Sequence, residues 1–132
     1  MSSESRHLSV FIHRQPIDVY AYVIDPANLP AWAAGLGDSI EQVGDDWFAD
    51  SPMGRVQVRF VPENEFGVAD HDVTLPSGET VRNPLRVLAD GPDGCELVFT
   101  VRRQPAQSAS EFEADCDAVQ RDLTTLRALL ET

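Results

Sequence analysis

Asp70-His71-Asp72 is the tightest group of ionisable side chains in the chain and the natural place to look for chemistry. Gathered on one side, three such residues could hold a metal or divide acid and base roles. The surrounding sequence argues against that gathering. Phe66 to Leu75 reads as a strand, and on a strand successive side chains point to opposite faces. His71 then shares an apolar face with Ala69, Val73 and Leu75, while Asp70 and Asp72 share a polar face with Thr74. No metal site is expected here, and His7 and His13 have no grouped ligands around them. His71 alone looks inward. It is either a core histidine hydrogen-bonded to a neighbour, or an acid–base group acting on a bound carbonyl or hydroxyl.

Other polar residues fall in register with it. Asn83 and Arg103 lie on the inward positions of their strands and could orient a carbonyl or carboxylate. Asp115 and Asp122 flank the apolar stripe of the last segment; pairing with arginines is expected of them, with a tilt toward His71 or Arg103 as the alternative. Trp32, Trp47, Tyr20, Tyr22, Phe48 and Met53 supply aromatic and soft surface of the kind that suits flat, apolar ligands. Gly35-Leu36-Gly37 is too short for a phosphate loop and reads as a hinge beside an entrance. Nucleophilic catalysis has little support, because there is no Gly-x-Ser-x-Gly elbow and neither Cys95 nor Cys116 has a histidine nearby in sequence. Proximity of Cys116 to His71 in space stays open.

The elements that must position these residues follow from periodicity. Phe112, Cys116, Val119, Leu123, Leu126 and Leu130 are spaced four, three, four, three, four, so Ser108 to Thr132 is one amphipathic helix. Ser108 and Glu111 match a capping box at its start. Leu8 to His13 alternates as a first strand, Pro16 opens a helix over Ile17–Val23, and Asp25 caps a second with Leu29 and Trp32 inward. Six further strands are expected near Ser39–Val43, Asp46–Asp50, Arg55–Val61, Phe66–Leu75, Glu79–Ala89 and Cys95–Arg103, joined by Gly- and Pro-rich turns. One sheet face is a core and the other is wet. A curved antiparallel sheet gripping a single helix leaves room for a pocket between them.

Composition removes several function classes. The chain has 132 residues and a net charge of −12, with ten basic residues that are all arginine. Such a surface repels phosphate backbones and anionic headgroups, and without lysine no Schiff base forms. Met1 to His7 has no apolar region of the signal-peptide kind, and no apolar run is long enough for a membrane helix. The two cysteines read as reduced core residues of a cytoplasmic protein.

This order of elements resembles the helix-grip fold of the START-like (Bet v 1-like) superfamily, which includes the major birch pollen allergen, polyketide cyclases and dehydratases, and lipid-transfer START domains. Pro16-Ile17-Asp18-Val19-Tyr20 and Asp25-Pro26 with Leu29 and Trp32 carry the likeness, and Phe66-Gly67-Val68-Ala69-Asp70-His71-Asp72-Val73 is similar to a stretch of small bacterial members. The glycine-rich loop of the allergen branch is replaced by Val43-Gly44-Asp45-Asp46, so no phosphate-loop or allergen-type ligand is carried over. The resemblance implies an α+β domain over residues 8–132, after a polar tail 1–7: a seven-stranded curved antiparallel sheet around the C-terminal helix, with two short helices after the first strand. It implies a cavity for a hydrophobic small molecule, lipid-like or aromatic and polyketide-like. Trp32, Trp47, Phe60, His71, Asn83, Phe99, Arg103, Phe112, Cys116 and Val119 are its expected lining. The alternatives are a cyclase- or dehydratase-type enzyme using His71 without metal or organic cofactor, and a co-chaperone-like interaction module. Nucleic acid and membrane insertion are not expected, and the chain is a monomer or homodimer.

Overall fold

Ser108 starts the terminal helix as the capping box requires: its hydroxyl accepts from the Glu111 N–H, and the Glu111 carboxylate accepts from the Ser108 N–H. The computed structural model describes residues 4–132, so Met1 to Ser3 of the expected tail lie outside the described residues. Chain order is β1 (Ser5–Ile12), α1 (Pro16–Val23), a 3-10 turn (Pro26–Asn28), α2 (Leu29–Trp32), a second 3-10 turn (Ala34–Leu36), β2 (Ile40–Val43), β3 (Asp46–Ser51), β4 (Gly54–Phe60), β5 (His71–Thr74), β6 (Thr80–Asn83), β7 (Leu85–Asp90), β8 (Gly94–Arg102) and α3 (Ala109–Leu130). The first strand thus takes in Ser5 to His7, which the sequence had suggested as tail.

The expected single seven-stranded sheet is instead, among the described residues, eight strands in two antiparallel sheets, ordered β1-β8-β7 and β2-β3-β4-β5-β6. The break has a local cause. Pro84 interrupts the run Glu79–Ala89, and having no N–H it cannot continue a ladder. Its carbonyl still accepts the Thr100 N–H at 3.0 Å, so the chain turns from one sheet to the other there. The stretch expected as Phe66–Leu75 is also shorter. Residues 61–70 run irregularly, and Gly67 takes a left-handed φ of 72° to lie against the backbone of Val87. They are tied down by Ala69 N–H to Leu85 O and Val87 N–H to Gly67 O.

Helix α3 lays Phe112, Cys116, Leu123, Leu126 and Leu130 into the core and packs on β1, β8 and α2. Each fully buried leucine contributes roughly 1.5–3 kcal/mol. Val10 and Ile12 of β1, Leu97 of β8 and Val19 and Val23 of α1 complete that side, while Val56, Val58 and Val73 carry the core face of the second sheet. No helix among the described residues is long and apolar enough to cross a membrane.

Candidate functional site

A cavity of about 370 Å³ lies where α3 and α2 face both sheets. Its apolar wall is built from Leu29, Trp32, Leu36, Val73, Val81, Phe99 and Val101. Helix α3 contributes Asp115, Ala118, Val119 and Asp122, spaced three, one and three, which is one helical face. Gln104 and Gln107 come from the connection before α3, and Met53 from the β3–β4 turn.

His71 sits in this wall, 3 % exposed. Its ring is held between two aromatics, with centroids 4.7 Å from Phe60 and 5.9 Å from Phe99, the latter edge-on. Nδ1 lies 3.1 Å from the Ala69 carbonyl, which only accepts, so the proton is on Nδ1. Burial pushes the imidazole below its ordinary value, overriding the Ala69 bond and the nearby Asp70 and Asp72, which act in the opposite sense. At neutral pH the ring is uncharged, and Nε2 carries a lone pair with no hydrogen-bond partner among the described residues.

Register is fixed by a clamp beside it. Asp70, expected on the wet face, is buried: one carboxylate oxygen accepts from the Leu85 N–H and Arg86 Nε, the other from Arg86 Nη2, all at 2.9 Å. Hydrogen bonding to Arg86 holds this carboxyl below the usual range against the opposing effect of burial. Asp72 does stay on the outer face, in a two-armed pair with Arg82. The Asp70-His71-Asp72 alternation therefore holds, and no group of three or more metal-ligating side chains occurs among the described residues.

Of the residues expected to line the cavity, Trp32, His71, Asn83, Phe99 and Val119 do. Trp47 and Phe60 instead border a smaller pocket of about 180 Å³ with Asp46 and Arg59, Phe60 reaching the main site through His71. Phe112 and Cys116 are buried in the helix–sheet core and do not border the cavity. Arg103 points away: its guanidinium donates to Gln107 O and pairs with Glu4 at 3.1 Å. Among the described residues, Asp115 and Asp122 meet no arginine within 4 Å; Asp115 accepts from Gln107 Nε2, and Asp122 accepts from the Ala34 N–H at 3.3 Å. Gly37 is no hinge. With φ 87° it is pressed against Asp50, where an added Cβ would lie 2.0 Å from the carbonyl oxygen. For Asp115 and Asp122 the sequence offered an inward tilt only as the alternative to arginine pairing, although the three-one-three spacing they share with Ala118 and Val119 was readable. Sequence reasoning missed that the Trp32 Nε1–H is buried without an acceptor.

No protein-family model and no curated protein sequence matches the chain. Solved structures do. The chain is similar to the protein XoxI from Bacillus cereus at 12 % identity and TM-score 0.75, covering 96 % of this chain and 94 % of that one. It is similar to truncated norcoclaurine synthase from Thalictrum flavum at 14 % identity and TM-score 0.65, covering 99 % and 96 %. A START superfamily protein from Mycobacterium smegmatis aligns at 13 % identity and TM-score 0.65, covering 98 % of each chain. Element order, a gripped terminal helix and these likenesses together show that the chain has the START-like, Bet v 1-like fold.

Proposed function

We propose that this chain binds a hydrophobic small molecule, aromatic or lipid-like, in the cavity between α3 and the sheets. The observation that carries this reading is a largely apolar space of about 370 Å³ walled in part by His71, whose Nε2 has no hydrogen-bond partner among the described residues. Wells of this size with a few convergent polar groups are the usual form of ligand sites. The START-like fold supports a ligand-binding role at that level of description.

A second reading has its own support. An uncharged His71, with Nδ1–H fixed on Ala69 O and Nε2 free, is set up as a general base, and Asn83 on the same wall is placed to orient a carbonyl. That is the proton transfer a cyclase or dehydratase needs. The interaction-module alternative gains no comparable observation.

The test is a fluorescence titration with N-phenyl-1-naphthylamine, a neutral apolar probe. Saturable one-to-one binding is expected for the native chain, and its loss in Val119→Trp, which fills the cavity from α3. Equal binding by both proteins would refute the cavity as the site. His71→Ala separates the two readings: probe binding persists under both, whereas turnover of a cyclisable polyketide substrate, if the native protein shows it, survives the substitution only if His71 is not the base.

A further inference from the structure

Asp122 lines the cavity as a half-buried carboxylate whose surroundings differ from those of Asp70 and Asp72. Asp70 has a two-armed arginine and a backbone N–H, and Asp72 has a two-armed arginine. Asp122 has the Ala34 N–H at 3.3 Å and, among the described residues, no cation within 4 Å. Its pKa follows suit: burial pushes it up, with the Ala34 bond and the more distant Arg121 opposing, whereas Asp70 and Asp72 are held down by their arginines. An ionised carboxylate taken partly out of water needs a donor or a cation to offset its lost hydration.

The other groups facing the same space do not provide one. Asp115 is a second acid and is engaged by Gln107; His71 is uncharged; Arg102, at the end of β8, is exposed and pairs with neither aspartate. Independently of Asp122, Trp32 is 4 % exposed and lines the cavity with its Nε1–H buried and unpartnered. Trp32 lies two residues before Ala34, the residue Asp122 accepts from, so Trp32 and Asp122 line neighbouring parts of the same cavity.

We propose that Asp122 recognises a protonated amine carried on an apolar, ring-bearing ligand, so that the cavity takes organic cations and rejects carboxylates. This rests on the cavity being the binding site. The ammonium donates to the Asp122 carboxylate in a charge-assisted hydrogen bond, and the rings lie against Trp32, Leu36, Phe99 and Val101. A carboxylate ligand meets like charge from Asp115 and Asp122 and from a chain of net charge −12.

Three probes with one apolar body separate the possibilities: 1-naphthylmethylamine, 1-naphthalenemethanol and 1-naphthoate, titrated calorimetrically into the native chain and Asp122→Asn. The amine is expected to bind about tenfold or more tighter than the alcohol, in line with a hydrogen bond to a charged group, and naphthoate weakest. Asp122→Asn keeps an oxygen for the Ala34 N–H; it should bring the amine to the level of the alcohol and leave the alcohol unchanged. The native ranking alone decides the matter should the variant not fold. Equal affinity for amine and alcohol in the native chain, or equal weakening of both by Asp122→Asn, overturns the amine proposal while leaving the cavity reading standing. Absence of binding by all three probes overturns the amine proposal too, and absence of N-phenyl-1-naphthylamine binding as well sinks the cavity reading with it.

Discussion

Replacing Asp70 by alanine should cost roughly 2–4 kcal/mol of folding stability, although the residue touches no ligand-facing surface. Three hydrogen bonds at 2.9 Å end on its carboxylate, one from the buried Leu85 N–H and two from Arg86. Removing one member of a buried ion pair costs about 3–5 kcal/mol when the abandoned charge stays buried. Arg86 is 48 % exposed and can turn to water, which lowers that figure, while the Leu85 N–H loses its acceptor in a buried position and adds about 1–3 kcal/mol. With a urea dependence of about 2 kcal/mol per molar, the unfolding midpoint should fall by about 1–2 M. Asp70→Asn should lose less, because an amide oxygen can still accept from Leu85. The pH dependence has a definite sign. Since the folded-state pKa of Asp70 is depressed by Arg86, its contribution is present above the unfolded value, near 3.9, and is lost as pH falls through the lower folded value. A midpoint for Asp70→Ala within error of the native chain at pH 7 would show that this pair does not hold the two sheets together.

Two further substitutions probe the neighbourhood of the cavity. Because burial lowers the His71 pKa, below about pH 6.5 the unfolded chain takes a proton that the folded one refuses, so stability falls as pH drops. Urea midpoints at pH 7.5 and 5.5 should show the native chain losing more stability than His71→Leu over that interval; parallel losses would contradict a buried neutral imidazole. Gly37→Ala should be the more damaging of a matched pair with Gly78→Ala. Both residues have φ near 90°, which costs a Cβ-bearing residue about 1–2 kcal/mol, but only at Gly37 does the new Cβ run into backbone, at Asp50 O. Equal thermal shifts for the two variants would mean that the turn before β2 yields freely.

What could be read from the sequence was what depends on near neighbours. The α3 stripe and its capping box were legible because helical spacing and the Ser108–Glu111 pair are local signals. Opposed faces for His71 and Asp72 followed from strand geometry alone. The split into two sheets was signalled by Pro84 and passed over, since the apolar alternation on either side of it looked continuous. Burial of Asp70 was not legible, as it depends on Arg86 and Leu85 approaching from β7, fifteen and more residues away. Nor could alternation say which inward residues fill the core and which border empty space. Phe112 and Val119 lie on the same apolar stripe, but one is sealed against the sheet and the other borders the cavity.

That division explains where a site can form in this fold. Helix α3 packs tightly on β1 and β8, so the volume left over lies toward the second sheet, reached through β5 and β6 at Val73, Val81 and Asn83. The chain crosses between sheets at Pro84, directly after Asn83, and Asp70 ties the strand bearing His71 to the strand that follows the crossing. His71 is thus positioned by the joint between the sheets, and Asp122 by the face of α3 that turns away from the gripped sheet. Neither polar group is satisfied by the described residues as well as Asp70 is, and under the proposed cavity reading, optimising either for stability would remove a group available to a ligand. Unmet hydrogen-bonding capacity is expected where a second molecule completes the structure, and the tight clamp at Asp70 is what lets the fold carry it.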